Sequence, residues 1–291
     1  MTEKETELHV LEQTSIDDDV YDRQKRIAGW DQKKISNATV LVIGAGATGN
    51  EVVKNLVLFG VGKIYLVDYD FINISNLNRC VLFNIRSAQN KEYKADVVKE
   101  ACKDLNPEVE IIPIKEVLND IDKKLYKCDV VCSCVDNVEA RIEANNYSYY
   151  YDTPFVDSGI DEFFGSVQAV YSKIEEAACL QCGISGKDLD LMWKKFSCTG
   201  EEIASENGET VGKIATIITT TSIIGGIQTQ QVLQFILGVD YFAKHHQWNP
   251  DIGEPLVGKQ LNYNGHTNRF EIIDKVKNPS CWTCSFESRH K

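Results

Sequence analysis

The chain has 291 residues, 43% of them hydrophobic, enough to bury a sizeable core in one large α/β domain or two ordinary ones. Against 43 acidic residues stand 31 basic ones, a net charge of -12, which disfavours nucleic acid as a partner because duplex binding is driven by counterions released from neutralised phosphates. No apolar run reaches the roughly 18 residues of a membrane span, and the polar, acidic start MTEKETELHV does not read as a signal or transit peptide. A cytoplasmic protein is therefore expected, with its ten cysteines serving as reduced thiols, metal ligands or catalytic groups rather than a disulfide framework.

Residues 1–19 lack a clear apolar period and carry the acidic run Asp17, Asp18, Asp19, which predicts a mobile tail. A short amphipathic helix is expected over 22–36. The segment ATVLVIGAG, 38–46, reads as a buried strand running into a glycine turn, and the chain is helical from there to about Phe59. A second strand, KIYLVDYD, ends in acid. A helix over 87–105 and a strand over 109–114 follow. CDVVCSCVD is another buried strand, with a helix from Val138, and TPFVDSGI and GSVQAVYS are two more strands. Residues 185–210 are polar and irregular, then a long helix runs from about Lys213 to Leu237. Two late strands, QLNYN and RFEIID, precede a terminal CWTC. Strands alternating with helices imply right-handed crossovers and a mainly parallel, Rossmann-like sheet, here extended by late antiparallel strands. With no repeat or low-complexity linker, 20–291 is expected as a single domain with a mobile insertion at about 185–210.

Gly44-Ala45-Gly46-Ala47-Thr48-Gly49 is a GxGxxG. Its glycines permit a tight turn and let backbone N–H groups approach a phosphate at a helix N-terminus. Alone the pattern is weak, and a ligand-free glycine turn would look the same. Here a strand precedes it, a helix follows, and Asp68 ends the second strand, where an acid can hydrogen-bond ribose hydroxyls. The following residues favour ATP over NAD. After Asp68 come Tyr69-Asp70, then Ser75-Asn76-Leu77-Asn78-Arg79, and later Lys94 at a helix start. Hydride transfer needs no Arg and Lys beside the nucleotide, whereas the charge of a triphosphate must be held. Asp136 stands just past a buried strand's C-terminal end, where open α/β sheets bind ligands, and suits Mg²⁺ held between carboxylate and phosphates. Its ordinary alternative is a helix N-cap; for Arg79 and Lys94 taken singly, it is a solvated surface charge.

Cys179-Leu180-Gln181-Cys182 and Cys281-Trp282-Thr283-Cys284 are two CxxC pairs, the four thiolates of a tetrahedral, closed Zn²⁺ site once the fold brings them together. A redox CxxC or unpaired buried thiols are the alternatives. With no histidine in the set, the role is structural: pinning the terminus to the domain.

The ordered set Gly44–Gly49, Asp68-Tyr69-Asp70, Asn76-Leu77-Asn78-Arg79, Lys94 and Val135-Asp136-Asn137 resembles the ThiF/MoeB/ubiquitin-activating superfamily, and Tyr21-Asp22-Arg23-Gln24 is similar to its start motif. The resemblance spans about residues 20–285. Within the superfamily, CVDNVEAR, 134–141, and the terminal NPSCWTC are most similar to the activating enzyme of the ubiquitin-fold modifier. It implies that Gly44, Gly46 and Gly49 line the nucleotide and that Asp68 holds the ribose. Asn76, Arg79 and Lys94 would contact phosphates within the DYD acidic end that includes Asp70, and Asp136 would bind Mg²⁺. Arg23 would reach as an arginine finger into the other protomer of a homodimer. It implies the same zinc site. Activating enzymes of this kind also carry a thioester cysteine between the first CxxC and the long helix, and Cys198 in FSCTGEE is the cysteine there. Thiolates are strong nucleophiles even when a few per cent ionised. The ordinary reading is a loop cysteine, or a persulfide or resolving thiol. Two departures stand out: Lys91 occupies a position where the family has glycine, and about fifteen residues separate Cys198 from the helix.

The expected activity is ATP-dependent adenylation of a ubiquitin-like protein's C-terminal carboxylate, then a thioester on Cys198 that passes to a conjugating enzyme. A MoeB- or ThiF-like adenylyltransferase for a sulfur-carrier protein shares the first step and lacks the second. A dehydratase adenylating a carboxylate on modified tRNA, an NAD-dependent dehydrogenase and a non-catalytic scaffold are the remaining rivals.

Overall fold

The computed structural model describes residues 19–184 and 215–285. The acidic tail, the 185–210 insertion and Cys198 therefore lie outside the described residues, apart from Asp19. The elements run α1 (Asp22–Lys25), α2 (Gln32–Asn37), β1 (Thr39–Ile43), α3 (Ala47–Phe59), β2 (Lys63–Val67), α4 (Ile85–Gln89), α5 (Lys94–Lys103), β3 (Glu110–Ile114), β4 (Val130–Ser133), α6 (Val138–Tyr150), β5 (Phe155–Asp161), β6 (Phe164–Val170), α7 (Ile218–His245), β7 (Lys259–Asn264) and β8 (Arg269–Asp274). Short 3-10 turns cover Ile74–Asn76, Lys123–Tyr126 and Leu180–Gly183.

The eight strands form one sheet in the order β3-β2-β1-β4-β5-β6-β7-β8. The first five in that order are parallel, and β6, β7 and β8 extend them antiparallel. Strands buried on both faces read as continuous apolar runs, and β1 does so: Val40 and Val42 face one core, Leu41 and Ile43 the other. The first core is roofed by α3, α5 and α7, with Leu56, Val98 and Phe235 buried in it. The second lies under α6 and the two CxxC turns, around Tyr126 and Phe155.

Three helices differ from the sequence expectation, each for a local reason. The helix expected over 22–36 is two, because Gly29 turns into the left-handed region at φ 75° and Asp31 restarts the chain by accepting from the Lys34 N–H at 3.0 Å. The helix expected over 87–105 is α4 and α5. Between them the chain runs extended against 70–72: Ile72 N–H donates to Glu92 O at 2.9 Å and Lys94 N–H to Asp70 O at 2.9 Å. Sheet-like pairing across sequence overrides local helix propensity there. The long helix, placed at 213–237, is Ile218–His245 within the described residues, continuing until His246 caps it at φ 55°. Its last two turns keep their apolar face, Phe242 stacking on Trp248 at 4.7 Å.

Candidate functional site: a nucleotide crevice and a four-thiol knuckle

Strand register decides which residues meet. Ile43 is level with Val67 of β2 and with Ser133 of β4. The residues that follow, Gly44, Asp68 and Cys134, therefore leave the sheet side by side. Strand order reverses here: β1 leads outward to β2 and β3, and the chain returns to β4 on β1's other side. Open α/β sheets bind ligands in the crevice at such a switch point.

The glycine loop is shaped by contacts that a side chain would prevent. Gly44 has φ 98°, and a Cβ on it would lie 2.6 Å from the Cys134 carbonyl oxygen. A Cβ on Gly49 would lie 2.0 Å from the Gly44 carbonyl oxygen, which closes the loop onto the first turn of α3. A Cβ on Gly46 would meet nothing within 4 Å. The loop is thus packed from below and open above, the shape needed for main-chain N–H groups at a helix start to face an anion.

Asp68 does more than the sequence implied. Its Oδ2 accepts from Ala45 N–H of the loop at 2.7 Å, and its Oδ1 from Asp70 N–H at 2.8 Å. It tethers the glycine loop to β2 while each oxygen keeps a further lone pair. Burial pushes its carboxyl above the ordinary range, against the opposing pull of Lys94 and both N–H groups. Lys94 Nζ is paired with Asp70 at 2.6 Å, its side chain 12% exposed. Burial alone would lower its pKa, but the Asp68, Asp70 and Asp136 carboxylates outweigh that and raise it, so the ammonium stays charged. Lys91 takes φ 54° in the turn before Lys94. The left-handed turn that a glycine would supply is kept by a lysine, so Lys94 sits on the helix start as expected.

Asn137 Oδ1, not Asp136, caps α6 by accepting from Ala140 N–H at 2.8 Å. That removes the ordinary explanation for Asp136, which is exposed and makes no hydrogen bond or ion pair among the described residues. It stands close enough to Lys94 and Tyr69 for its charge to raise both of their pKa values. Arg79 is held at the crevice edge by Ser75 O at 2.5 Å and Asn78 Oδ1 at 2.9 Å. Asn76 spends its Oδ1 on Asn73 N–H at 2.9 Å, which fixes that turn. Arg23 is exposed between two anchored neighbours. Tyr21 accepts at its hydroxyl from Asn106 at 2.7 Å, and Gln24 donates to Phe59 O at 3.2 Å.

Two groups carry no role in the sequence reading. Arg141, the last residue of CVDNVEAR, grips the fully buried Asp157 of β5, Nε lying 3.0 and 3.2 Å from its two oxygens. This ties α6, and the Asp136 turn that begins it, to the sheet. Its signal in sequence was an arginine one helical turn past Asp136, facing an acid in an otherwise apolar strand. Gln228, fully buried on α7, is the other; its signal was a polar residue inside an apolar stripe.

On the far core, the Sγ atoms of Cys179, Cys182, Cys281 and Cys284 all lie within 4.8 Å of one another. Three of the separations are 3.9, 3.6 and 3.2 Å. A disulfide would need about 2.05 Å, whereas a tetrahedron with Zn–S bonds of about 2.3 Å has edges of roughly 3.8 Å. The donor set and its dimensions fit zinc. Hydrogen bonds from the neighbouring thiols hold Cys182 below the ordinary thiol range, the direction a metal ligand requires. The knuckle is fixed by protein groups too: Leu180 N–H donates to the buried Asn145 of α6 at 3.2 Å, and Thr283 Oγ1 donates to Gln181 at 2.5 Å.

No helix among the described residues is long and apolar enough to cross a membrane. Residues 21–283 match the ThiF family. The molybdopterin-synthase adenylyltransferase of Escherichia coli is 24% identical over 269 residues, 91% of this chain and 95% of that protein. The ubiquitin-like modifier-activating enzyme 5 of Dictyostelium discoideum is 27% identical over 270 residues, 86% of this chain and 62% of that protein. In fold the chain is similar to E. coli MccB crystallised with ATP, with a TM-score of 0.66 and 21% identity over 87% of this chain and 68% of that one.

Proposed function

Because the chain belongs to the ThiF family, we propose that residues 20–291 form one adenylation domain that uses ATP to activate the C-terminal carboxylate of a ubiquitin-like protein, and that Cys198 then takes the acyl group as a thioester. The observation that carries this reading is the convergence of the Gly44–Gly49 loop, Asp68, Lys94 and Asp136 on one crevice.

A C-terminal carboxyl group has a pKa near 3.3–3.7, so it is ionised at neutral pH and needs no general base. Its oxygen attacks the α-phosphorus of ATP. The α–β phosphoanhydride bond breaks, pyrophosphate leaves with the electron pair, and an acyl-adenylate remains. The chain's contribution is alignment and charge stabilisation. Gly44, Gly46 and Gly49 present N–H groups to phosphate oxygens, and Asp68 offers its remaining lone pairs to the ribose. Lys94 leaves Asp70 for the phosphates, joined by Arg79 and Asn76. Mg²⁺ would neutralise the departing pyrophosphate, with Asp136 as its protein ligand. Arg23 from the second protomer of a homodimer would complete the charge. The Cys198 thiolate then attacks the acyl carbon and AMP leaves, and the thioester passes to the thiol of a conjugating enzyme. Zinc on Cys179, Cys182, Cys281 and Cys284 has no part in the chemistry and holds the terminus in place.

A second reading stops at the adenylate, as for a sulfur-carrier protein. The near full-length similarity to the molybdopterin-synthase adenylyltransferase favours it. One experiment separates the two: incubation with ATP and candidate modifiers, followed by gels with and without reductant. The thioester reading expects a reductant-sensitive adduct that Cys198→Ala abolishes while pyrophosphate exchange continues. Adenylate without any adduct in the wild type assigns the chain to the sulfur-carrier side. Mixing Arg23→Ala with Asp136→Ala chains should restore activity if sites are shared; a fully active monomer would sink the arginine finger.

A further inference from the structure

The long helix α7 presents Ile224, Val232, Phe235 and Ile236 to the sheet, all buried, and Gln228 lies in the middle of that stripe with none of its surface exposed. An amide buried in an apolar stripe is costly unless its polar atoms are all engaged. Those of Gln228 are. Its Nε2 donates to Ser133 O of β4 at 2.7 Å and lies 3.5 Å from Val156 O of β5. Its Oε1 accepts from Ser158 Oγ at 2.7 Å and faces Cys134 Sγ at 3.7 Å. One side chain thus holds the C-terminal ends of two neighbouring strands.

What those ends carry gives the contact its meaning. Ser133 is the last residue of β4, and Asp136 stands three residues on. Cys134, between them, is fixed by its N–H to Ile43 O at 2.8 Å and by its carbonyl packed under Gly44. The same helix is also joined to α3, whose first turn closes the glycine loop. Ser222 Oγ donates to the buried Glu51 at 3.0 Å, and a Cβ on Gly225 would lie 2.6 Å from Glu51 Cβ. The loop side of the crevice and the Asp136 side are therefore both referenced to α7.

We infer that Gln228 is a positioning residue: it sets the place of the Asp136 carboxylate relative to the glycine loop, and so the affinity of the crevice for a divalent cation on a bound nucleotide. This rests on the proposed nucleotide reading of the crevice. The variant Gln228→Met keeps length and burial and removes the amide. The probe is Mn²⁺, its affinity read by electron paramagnetic resonance in the presence of a non-hydrolysable ATP analogue. The expected result is Mn²⁺ binding weakened about tenfold, with affinity for the analogue in the absence of metal changed less than about twofold. Thr221→Ala is the control. It removes a buried hydroxyl on the same helix that bonds only Ile217 O, at 2.9 Å, and should lower the melting temperature without moving Mn²⁺ affinity. If Gln228→Met does not fold, Ser158→Ala removes one partner of the same amide and should weaken Mn²⁺ about two- to threefold. Unchanged Mn²⁺ affinity in a folded Gln228→Met or Ser158→Ala protein, or an equal loss in Thr221→Ala, overturns the inference. Wild-type protein that binds Mn²⁺ with the analogue but never exchanges pyrophosphate counts against the proposed reaction alone, and wild-type protein that binds no Mn²⁺ overturns both.

Discussion

The crevice and the knuckle lie on one sheet and are built in opposite ways. The crevice is made largely of main chain: the loop between β1 and α3, the ends of β2 and β4, and N–H groups that any residue would supply. The knuckle is made of four side chains from two turns, Cys179 and Cys281 standing 102 residues apart. A site shaped by strand register loses function when a side chain is removed and keeps its fold. A site that staples distant segments loses the fold first.

That contrast orders the expected effects. Cys281→Ser removes one of four thiolates and opens a loop of about a hundred residues. Loop closure of that length is worth about 4.7 kcal/mol in chain entropy, before any of the roughly 10–16 kcal/mol that structural zinc contributes in small peptides. A fall in melting temperature of about 10 °C or more is expected, with loss of the one zinc per chain that metal analysis should find in the wild type. A disulfide and no metal in protein purified without added zinc would erase the contrast.

Asp136→Ala comes next, and in the other currency. The residue is exposed and caps nothing, so the melting temperature should hold within about 2 °C while exchange falls by about 100-fold or more. Tyr21→Phe tests how the segment carrying Arg23 is fastened. It removes the acceptor of Asn106, 2.7 Å away in a buried pair, and should cost about 1 kcal/mol, read by urea denaturation. Lys91→Gly should have the smallest effect. A left-handed lysine costs about 1 kcal/mol or more, and glycine would recover part of that while losing the Lys91 bond to Asn73 at 2.5 Å. A net gain below about 1 kcal/mol is expected; a net loss would mean that the side-chain bond, not the backbone, holds the turn before Lys94.

The same contrast explains what the sequence could tell. Parallel strands advertise themselves as apolar runs, and Gly44, Asp68 and Asp136 each follow one directly, so chain order alone predicted their meeting. The two CxxC pairs were legible by ligand chemistry, although no local signal showed them touching. Local helix periodicity failed where tertiary pairing or a turn won: at Gly29, and at 91–93, where bonding to 70–72 breaks the helix to seat Lys94 beside Asp70. Arg141 with Asp157, and Gln228, were not legible as functional. Their partners are a buried acid on another strand and backbone carbonyls, and neither leaves a spacing pattern. The register that makes Asp68 a tether for Ala45 is likewise invisible before the sheet is assembled.

The most direct test of the central claim is modifier-dependent exchange of labelled pyrophosphate into ATP, measured for the wild type beside Asp136→Ala. The crevice as described predicts exchange that appears only when a ubiquitin-like or sulfur-carrier protein with a free C-terminal carboxylate is added, and that Asp136→Ala loses while staying folded. Exchange at the wild-type rate in Asp136→Ala, or nicotinamide fluorescence quenched by the protein with no exchange under any condition, would contradict it.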